Sequence, residues 1–485
     1  MPYKHGVSAN LIPSQPAFPP SGVGALPVYV GTAPVNVLAD PEAAFNKVLL
    51  VNSLAEAKLA VGYSDDWATF TLCEAIDAHF NNPLGNMGPI VLINIFDPAT
   101  DTKEGTADVA LVNQIGYIDN EKVLLESVAI ADKVLGTDYE VEYVVIDGKN
   151  KVKVTDISEL GMASPVTVTF DELDITKIVG TDVVGTVDAD GNRTGLQVAD
   201  FVYQDTGLIP TILAAPGWSQ DPVVYTGLVS KCQAINSHWD AICVADIDLS
   251  SVEAQTIAEA KTWKDTNGYI SKLSKIFWPM AKYGAKLYHI STLAVVMMMQ
   301  TDYEHDNIPY ASPSNRQILA TGAALADGTE IKFDEVQAND LNSVGITTMA
   351  FLGGLWRLWG PHMANYTYAA ESGIKPEDLF DCTVRMQGYL KNTFQENYLV
   401  NVDQPFNRRQ IDQILDSAQL WLNSLIADRA LLYGSISFNT QSNPADQLAA
   451  GNFVFDVNYT SVPPGKSITF EIQYDPAGLA ALTEA

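Results

Sequence analysis

Several short stretches of this chain are apolar at nearly every position, and a strand without polar alternation has no face to present to water. Residues 27–33, 48–51, 89–96, 208–215 and 241–245 read this way. Such strands must be covered on both faces, which requires a largely parallel sheet with helices packed on each side. Helix signals fall between them. Ser53 is placed to cap a helix, with Glu56 three residues on to complete a reciprocal capping box. A helix is expected from Trp67 to Phe80, and another from Asp221-Pro222, with Val224, Leu228, Cys232 and Ile235 on one face. Helices at 251–265 and 293–300 flank a strand at 275–279. Two long helices come next, at 379–398 and 410–433. In the second, Ile411, Ile414, Leu415, Ala418, Leu422, Leu425 and Ile426 make an apolar stripe.

The α/β rhythm breaks at Asp97-Pro98. Short alternating strands are expected at 122–129, 139–146, 151–154 and 166–170, with Asp147-Gly148 as a hairpin turn. Residues 101–200 carry 20 acidic and 8 basic side chains, so this stretch is a β-rich, acidic interruption of the core. The resulting fold class is an α/β (α+β) core domain split by an inserted β-rich domain, with extended N- and C-terminal strand arms. The boundaries are an N-terminal arm at 1–26, core at 27–100, an inserted domain at 101–178, core again at 179–450, and a C-terminal arm at 451–485.

Both ends resemble detachable strands. Residues 6–12 are strand-like, and Pro13, Pro16, Pro19 and Pro20 stiffen the adjoining segment and bar it from a central strand. Residues 453–459 alternate, Val462-Pro463-Pro464-Gly465 turns the chain, and residues 467–474 alternate again. A two-stranded ribbon is marginal alone and needs a sheet to join.

The formal net charge of −30 argues against nucleic acid as a direct partner, because phosphate binding needs clustered cations. No apolar run approaches the length of a membrane span, so no direct membrane insertion is expected. The N-terminal residues lack a charged-then-apolar export signal, and Cys73, Cys232, Cys243 and Cys382 show no CxxC spacing. A reduced, cytoplasmically made protein is the expectation.

Tests for chemistry fail in turn. Gly217-Trp218-Ser219 begins like a nucleophile elbow without its second glycine. Asp188-Ala189-Asp190-Gly191-Asn192 resembles the start of a calcium loop, but Arg193 and Ala199 stand where a glycine and a glutamate are needed. Asp302, Glu304, His305 and Asp306 cluster without a second histidine motif and read as a solvated loop. No glycine loop cradles phosphate. No catalytic residue, cofactor or metal is therefore expected. Two other features suggest contact rather than catalysis. Two tryptophans lie between glycines in Gly353-Gly354-Leu355-Trp356-Arg357-Leu358-Trp359-Gly360. Arg408 and Arg409 open the last long helix, against its dipole.

Several segments, taken in order, resemble the tail sheath proteins of contractile-tailed bacteriophages and related contractile injection particles. They are Tyr3-Lys4-His5-Gly6-Val7, residues 27–34, Asn192-Arg193-Thr194-Gly195-Leu196, Ala215-Pro216-Gly217-Trp218-Ser219, residues 309–315, and Leu355-Trp356-Arg357-Leu358-Trp359-Gly360. The resemblance implies a structural subunit that stacks as hexameric rings around a tail tube, and contracts to drive the tube through an envelope. It implies a sheath in the virion tail, with self, tail tube, baseplate and tail terminator proteins as partners. Terminal strands would be exchanged between subunits through Val7, Ala9, Phe453, Phe455, Val457, Ile468, Phe470 and Ile472. A late helix would face the tube, making Arg408 and Arg409 the tube-facing candidates. The alternatives are the sheath of a phage-derived bacteriocin or extracellular injection system and, more remotely, an α/β hydrolase.

Overall fold

The computed structural model describes residues 24–233, 235–249 and 254–482. In chain order the core begins with β1 (Pro27–Gly31), β2 (Leu49–Val51), α1 (Leu54–Val61), α2 (Leu72–Phe80) and β3 (Ile90–Asn94). An all-strand stretch comes next: β4 (Thr102–Val109), β5 (Ile115–Ile118), β6 (Ala129–Ile130), β7 (Tyr139–Ile146), β8 (Lys149–Asp156) and β9 (Val166–Leu173). The alternation returns with α3 (Gly180–Val184), α4 (Val202–Thr206), β10 (Ile212–Ala214), α5 (Pro222–Lys231), β11 (Ile242–Asp246), α6 (Ile257–Thr266) and β12 (Ser274–Phe277). Beyond them lie β13 (Met280–Tyr283), β14 (Lys286–His289), α7 (Ile290–Tyr303), β15 (Gly322–Ala324), β16 (Glu330–Ile331), α8 (Glu335–Asn342) and the hairpin β17 (Ile346–Leu352) and β18 (Leu355–Trp359). The chain closes with α9 (Asp381–Tyr398), α10 (Arg408–Ala427), β19 (Leu431–Ser437), α11 (Ala445–Ala449) and β20 (Asp456–Ser461).

The main sheet has eight strands in the order β18-β17-β12-β11-β10-β1-β3-β2. Its inner pairings are all parallel, and an antiparallel strand closes each edge. Strands β1, β3 and β11 are buried along their whole length, as their unbroken apolar runs require, with α2, α5 and α7 packed against them. In open sheets of this kind, the crevice beyond the strand ends where connections diverge is the usual ligand seat. Here it is filled. A Cβ on Gly31 would lie 2.3 Å from the Thr71 hydroxyl oxygen, and one on Gly217 would lie 2.9 Å from the Thr71 methyl.

Between β3 and α3 the chain builds two three-stranded antiparallel sheets, β4-β9-β6 and β5-β8-β7, around a separate apolar core that includes Val152, Val154, Val168 and Phe170. Asp147 and Gly148 take positive φ of 53° and 79° in the β7–β8 turn, as the Asp-Gly pair requires. The stretch leaves and rejoins the core at one point, where the Asp174 N–H donates to the Asp101 carbonyl at 2.8 Å. Asn36 braces it from the core, donating to the Val123 carbonyl at 3.0 Å and accepting from the Tyr143 hydroxyl at 2.6 Å.

Some expectations are corrected. Residues 122–129 do not form a continuous strand, because the Ser127 hydroxyl donates to the Leu124 carbonyl and closes a turn. The Ser53 side chain accepts from the Glu56 N–H, but the Glu56 carboxylate takes its return bond from Asn52 rather than Ser53. The helix expected from Trp67 begins at Leu72, whose N–H is drawn to the Thr32 carbonyl. The helix expected at 251–265 begins at Ile257, capped by Thr256 and Glu259, while residues 250–253 lie outside the described residues. The helix expected at 410–433 is α10, which stops at Ala427 instead of reaching Tyr433. Arg429 takes φ of 64°, and the Ala430 N–H reaches back to the Leu425 carbonyl, which is a helix stop. All four cysteines are buried and free. No helix among the described residues is long and apolar enough to cross a membrane.

One buried ion pair ties the sheet to the final helices. Lys275 on β12 and Asp381 at the start of α9 are both fully buried and 2.8 Å apart. Lys275 also donates to the carbonyls of Gly360 at 2.7 Å and His362 at 3.2 Å. Removing one partner of such a pair leaves a charge buried without compensation. Lys275→Met is expected to cost about 3–5 kcal/mol, read as a lowered denaturation midpoint. The double change Lys275→Met with Asp381→Leu should recover most of that loss.

Candidate subunit interface

A group of buried and half-buried titratable side chains joins α2 to β14 and α7. His289 shares both contacts with Glu74, the ring Nδ1 at 2.7 Å and the backbone N–H at 2.7 Å. Asp77 accepts from Lys286 at 2.7 Å and from the Tyr288 hydroxyl. Asp246, at the end of β11, accepts from the Ser291 hydroxyl and backbone N–H. Burial alone would lower the His289 pKa, but Glu74, then Asp246, outweigh it and hold it at about 9. Burial raises the carboxyl of Asp246. Every member is engaged in fastening one element to another, so the group acts as a structural tie. His79 behaves in the opposite way: buried between the Tyr29 hydroxyl and the Met87 carbonyl, it is pushed down to about 4.

These two histidines give stability opposite dependences on pH. The raised pKa of His289 contributes stability below about 6.5 that is lost as pH rises through about 9. The depressed pKa of His79 costs stability as pH falls from about 6.5 towards 4. In a series of melting curves, His289→Gln should flatten the alkaline limb and His79→Gln the acid limb.

A second apolar lobe is built at the end of the chain. The stripe Ile411, Ile414, Ala418, Leu422 and Leu425 is the buried face of α10, and it packs with Met386 and Leu390 of α9. β19 lies close on α10 because Gly434 has no side chain to hold it off; a Cβ there would come within 3.1 Å of Leu422. β20 pairs antiparallel with β19, placing Val457 opposite Ile436. This two-stranded sheet gains no third strand from the described residues. Beside it runs a groove of about 900 Å³, lined by Phe394, Tyr398, Phe406, Ile414, Phe453 and Phe455 among others.

The ribbon expected at 453–474 is therefore divided. Its first half pairs with β19 of the same chain, because Val457 and Tyr459 find apolar cover there. Phe453 packs on Phe406 with ring centres 4.5 Å apart, and Phe455 on Phe438 at 5.3 Å. The second half has no ladder partner among the described residues. Ile468, Phe470 and Ile472 are 74%, 83% and 94% exposed. Val7 and Ala9 lie outside the described residues. Arg408 and Arg409 are exposed on the first turn of α10, capped by Asn407, and Arg408 pairs with Asp412 at 2.9 Å.

The other sequence candidates fall elsewhere. Asp302 is not solvated: it is buried and ion-paired with Arg385 of α9, which compensates its charge. Asp188 accepts from the Asp190 and Asn192 N–H groups and closes a turn. The Ser219 hydroxyl accepts from the Asp246 N–H at 3.1 Å, inside the core. Gly353-Gly354 forms the tip of the β17–β18 hairpin, with Phe351 exposed and packed edge-on against Trp356. Sequence reasoning found Phe453 and Phe455 but missed Phe394, Tyr398 and Phe406, although Phe394 and Tyr398 stand four apart on α9 and share a helix face.

Relatives align along most of the chain. The chain is 26% identical over 474 residues to the tail sheath protein of Burkholderia phage BcepMu, covering 92% of this chain and 91% of that one. The chain is homologous to phage tail sheath proteins. The tail sheath protein of Escherichia phage P2 is 25% identical over 317 residues, covering 63% of this chain and 74% of that protein. No family model matches. Among solved structures, a chain of the anti-feeding prophage baseplate aligns with a TM-score of 0.55 at 13% identity, covering 97% of this chain and all of that one. A chain of the contracted PVC sheath complex, an extracellular contractile injection system, aligns at 0.53 and 13% identity with the same coverage. Both show the fold.

Proposed function

We propose that this chain is the structural subunit of a contractile tail sheath, polymerising as stacked hexameric rings around a tail tube. The observation that carries the reading is an open two-stranded sheet and, in the same chain, an exposed segment of alternating apolar residues that no sheet takes up. Residues 467–474 of each copy add to the β19–β20 sheet of a neighbour, and Ile468, Phe470 and Ile472 cover apolar surface there. Main-chain hydrogen bonds then carry the joint, while the tether lets bodies move without breaking it. Val7 and Ala9 of the N-terminal arm serve the same exchange. The five segments divided at residues 26, 100, 178 and 450 act as arm, core, outward-facing inserted domain, core and arm. Baseplate and tail terminator proteins bound the polymer at its ends, and Arg408 and Arg409 meet the tube. The curated relatives are phage and prophage proteins, which favours a virion tail over an injection particle.

Electron microscopy tests the class directly: purified protein should form long striated cylinders. Deleting residues 467–485 should abolish cylinders while leaving the melting temperature of the chain within about 2 °C, since Ile468, Phe470, Ile472 and Tyr474 are exposed. Cylinders formed by the deletion protein would overturn strand donation. The double change Arg408→Glu with Arg409→Glu should leave empty cylinders but lower co-sedimentation with tail tube by at least tenfold, roughly 1.4 kcal/mol.

A further inference from the structure

After β20 the chain does not leave the body at once. Residues Val462, Pro463, Pro464, Gly465 and Lys466 run across it and form one wall of a cleft of about 600 Å³, whose other walls include Asn342, Trp359 and Tyr366. The strap is fastened at its far end. The Lys466 ammonium lies 2.9 Å from the Glu371 carboxylate and sits over the Tyr366 ring, 5.5 Å from its centre. The other Glu371 oxygen accepts from the Tyr366 hydroxyl at 3.0 Å, so one carboxylate holds both partners.

The anchor itself is rigid. Tyr366 is buried and stacks flat on His362, with ring centres 3.5 Å apart, and His362 stacks on Phe380 at 4.9 Å. The same segment is pinned from the core by two buried lysines: Lys275 holds the Gly360 and His362 carbonyls, and Lys264 holds the Ala364 carbonyl at 2.8 Å. Lys466 thus stands between a fixed three-ring stack and an exposed segment whose apolar residues begin two positions later, at Ile468. Pro463 and Pro464 limit the bending of the strap, so its path is set by the two ends.

We propose that Lys466, Glu371 and Tyr366 form a releasable latch that sets the reach of the C-terminal segment. Closed, the chain is tethered at Lys466. Opened, the tether point retreats to β20, and the five strap residues add up to about 17 Å of reach. A half-exposed ion pair with one cation–π contact is a weak restraint, which suits a latch that load can open. The role in assembly rests on the sheath reading; the latch itself does not.

The test uses the full-length chain, kept below the concentration at which cylinders form, with spin labels at Ser372→Cys and Ser467→Cys, leaving the buried native thiols unlabelled. The wild-type background should give one narrow distance distribution. Lys466→Glu should lengthen the mean distance and widen the distribution about twofold at unchanged melting temperature. Adding Glu371→Lys to Lys466→Glu should restore the narrow distribution by swapping the charges. A distribution that is broad before any latch change, or that stays narrow in Lys466→Glu, overturns the proposal. Neither readout involves polymer, so its failure is distinct from failure of strand donation.

Discussion

The Lys275–Asp381 pair is the point on which both halves of the molecule depend. It is a charge pair with no exposure, and its lysine also satisfies two carbonyls of the segment linking the sheet to the final lobe. Such a pair costs desolvation, and its attraction repays that only when the remaining donors are satisfied. Here they are, which fixes the orientation of α9 against β12. Because α9 carries the lobe that holds β19 and β20, the open sheet is presented at a fixed angle to the α/β body. Without that rigidity, a strand arriving from elsewhere would meet a target with no defined register.

The same logic bears on the proposed role of a strongly acidic protein as a polymer subunit. Copies with a net charge of −30 repel at long range, and salt screens that repulsion within about 10 Å. Association therefore cannot rely on complementary charge over the whole surface. It needs short-range, directional contacts, and backbone hydrogen bonds along a strand are of that kind. Arg408 and Arg409 stand exposed at a helix start, where their charge opposes the dipole.

Much of the architecture is legible because burial on two faces writes itself into composition. The apolar runs that form β1, β3 and β11 could not be anything else, and the stripe from Ile411 to Leu425 is visible at helical spacing. Boundaries set by one residue are not legible. Arg429 in a left-handed conformation ends α10 short of the Tyr433 that periodicity suggests, and neither its type nor its neighbours announce it. The C-terminal alternation marks two strand-like stretches in the sequence. That only the first is covered by its own chain depends on Gly434 and Leu422 lying close together, a tertiary fact. The Lys466–Glu371 contact joins residues almost a hundred apart and leaves no local pattern at all.

The Asp174–Asp101 backbone bond has an implication of another kind. The two ends of the inserted strands stand side by side, so the core sees the whole six-stranded unit as a single surface bracket. Its internal packing is separate from the main sheet. A piece so mounted can be exchanged for another without re-threading the scaffold, whether by recombination in nature or by an engineer grafting a foreign fold to be displayed at high copy number.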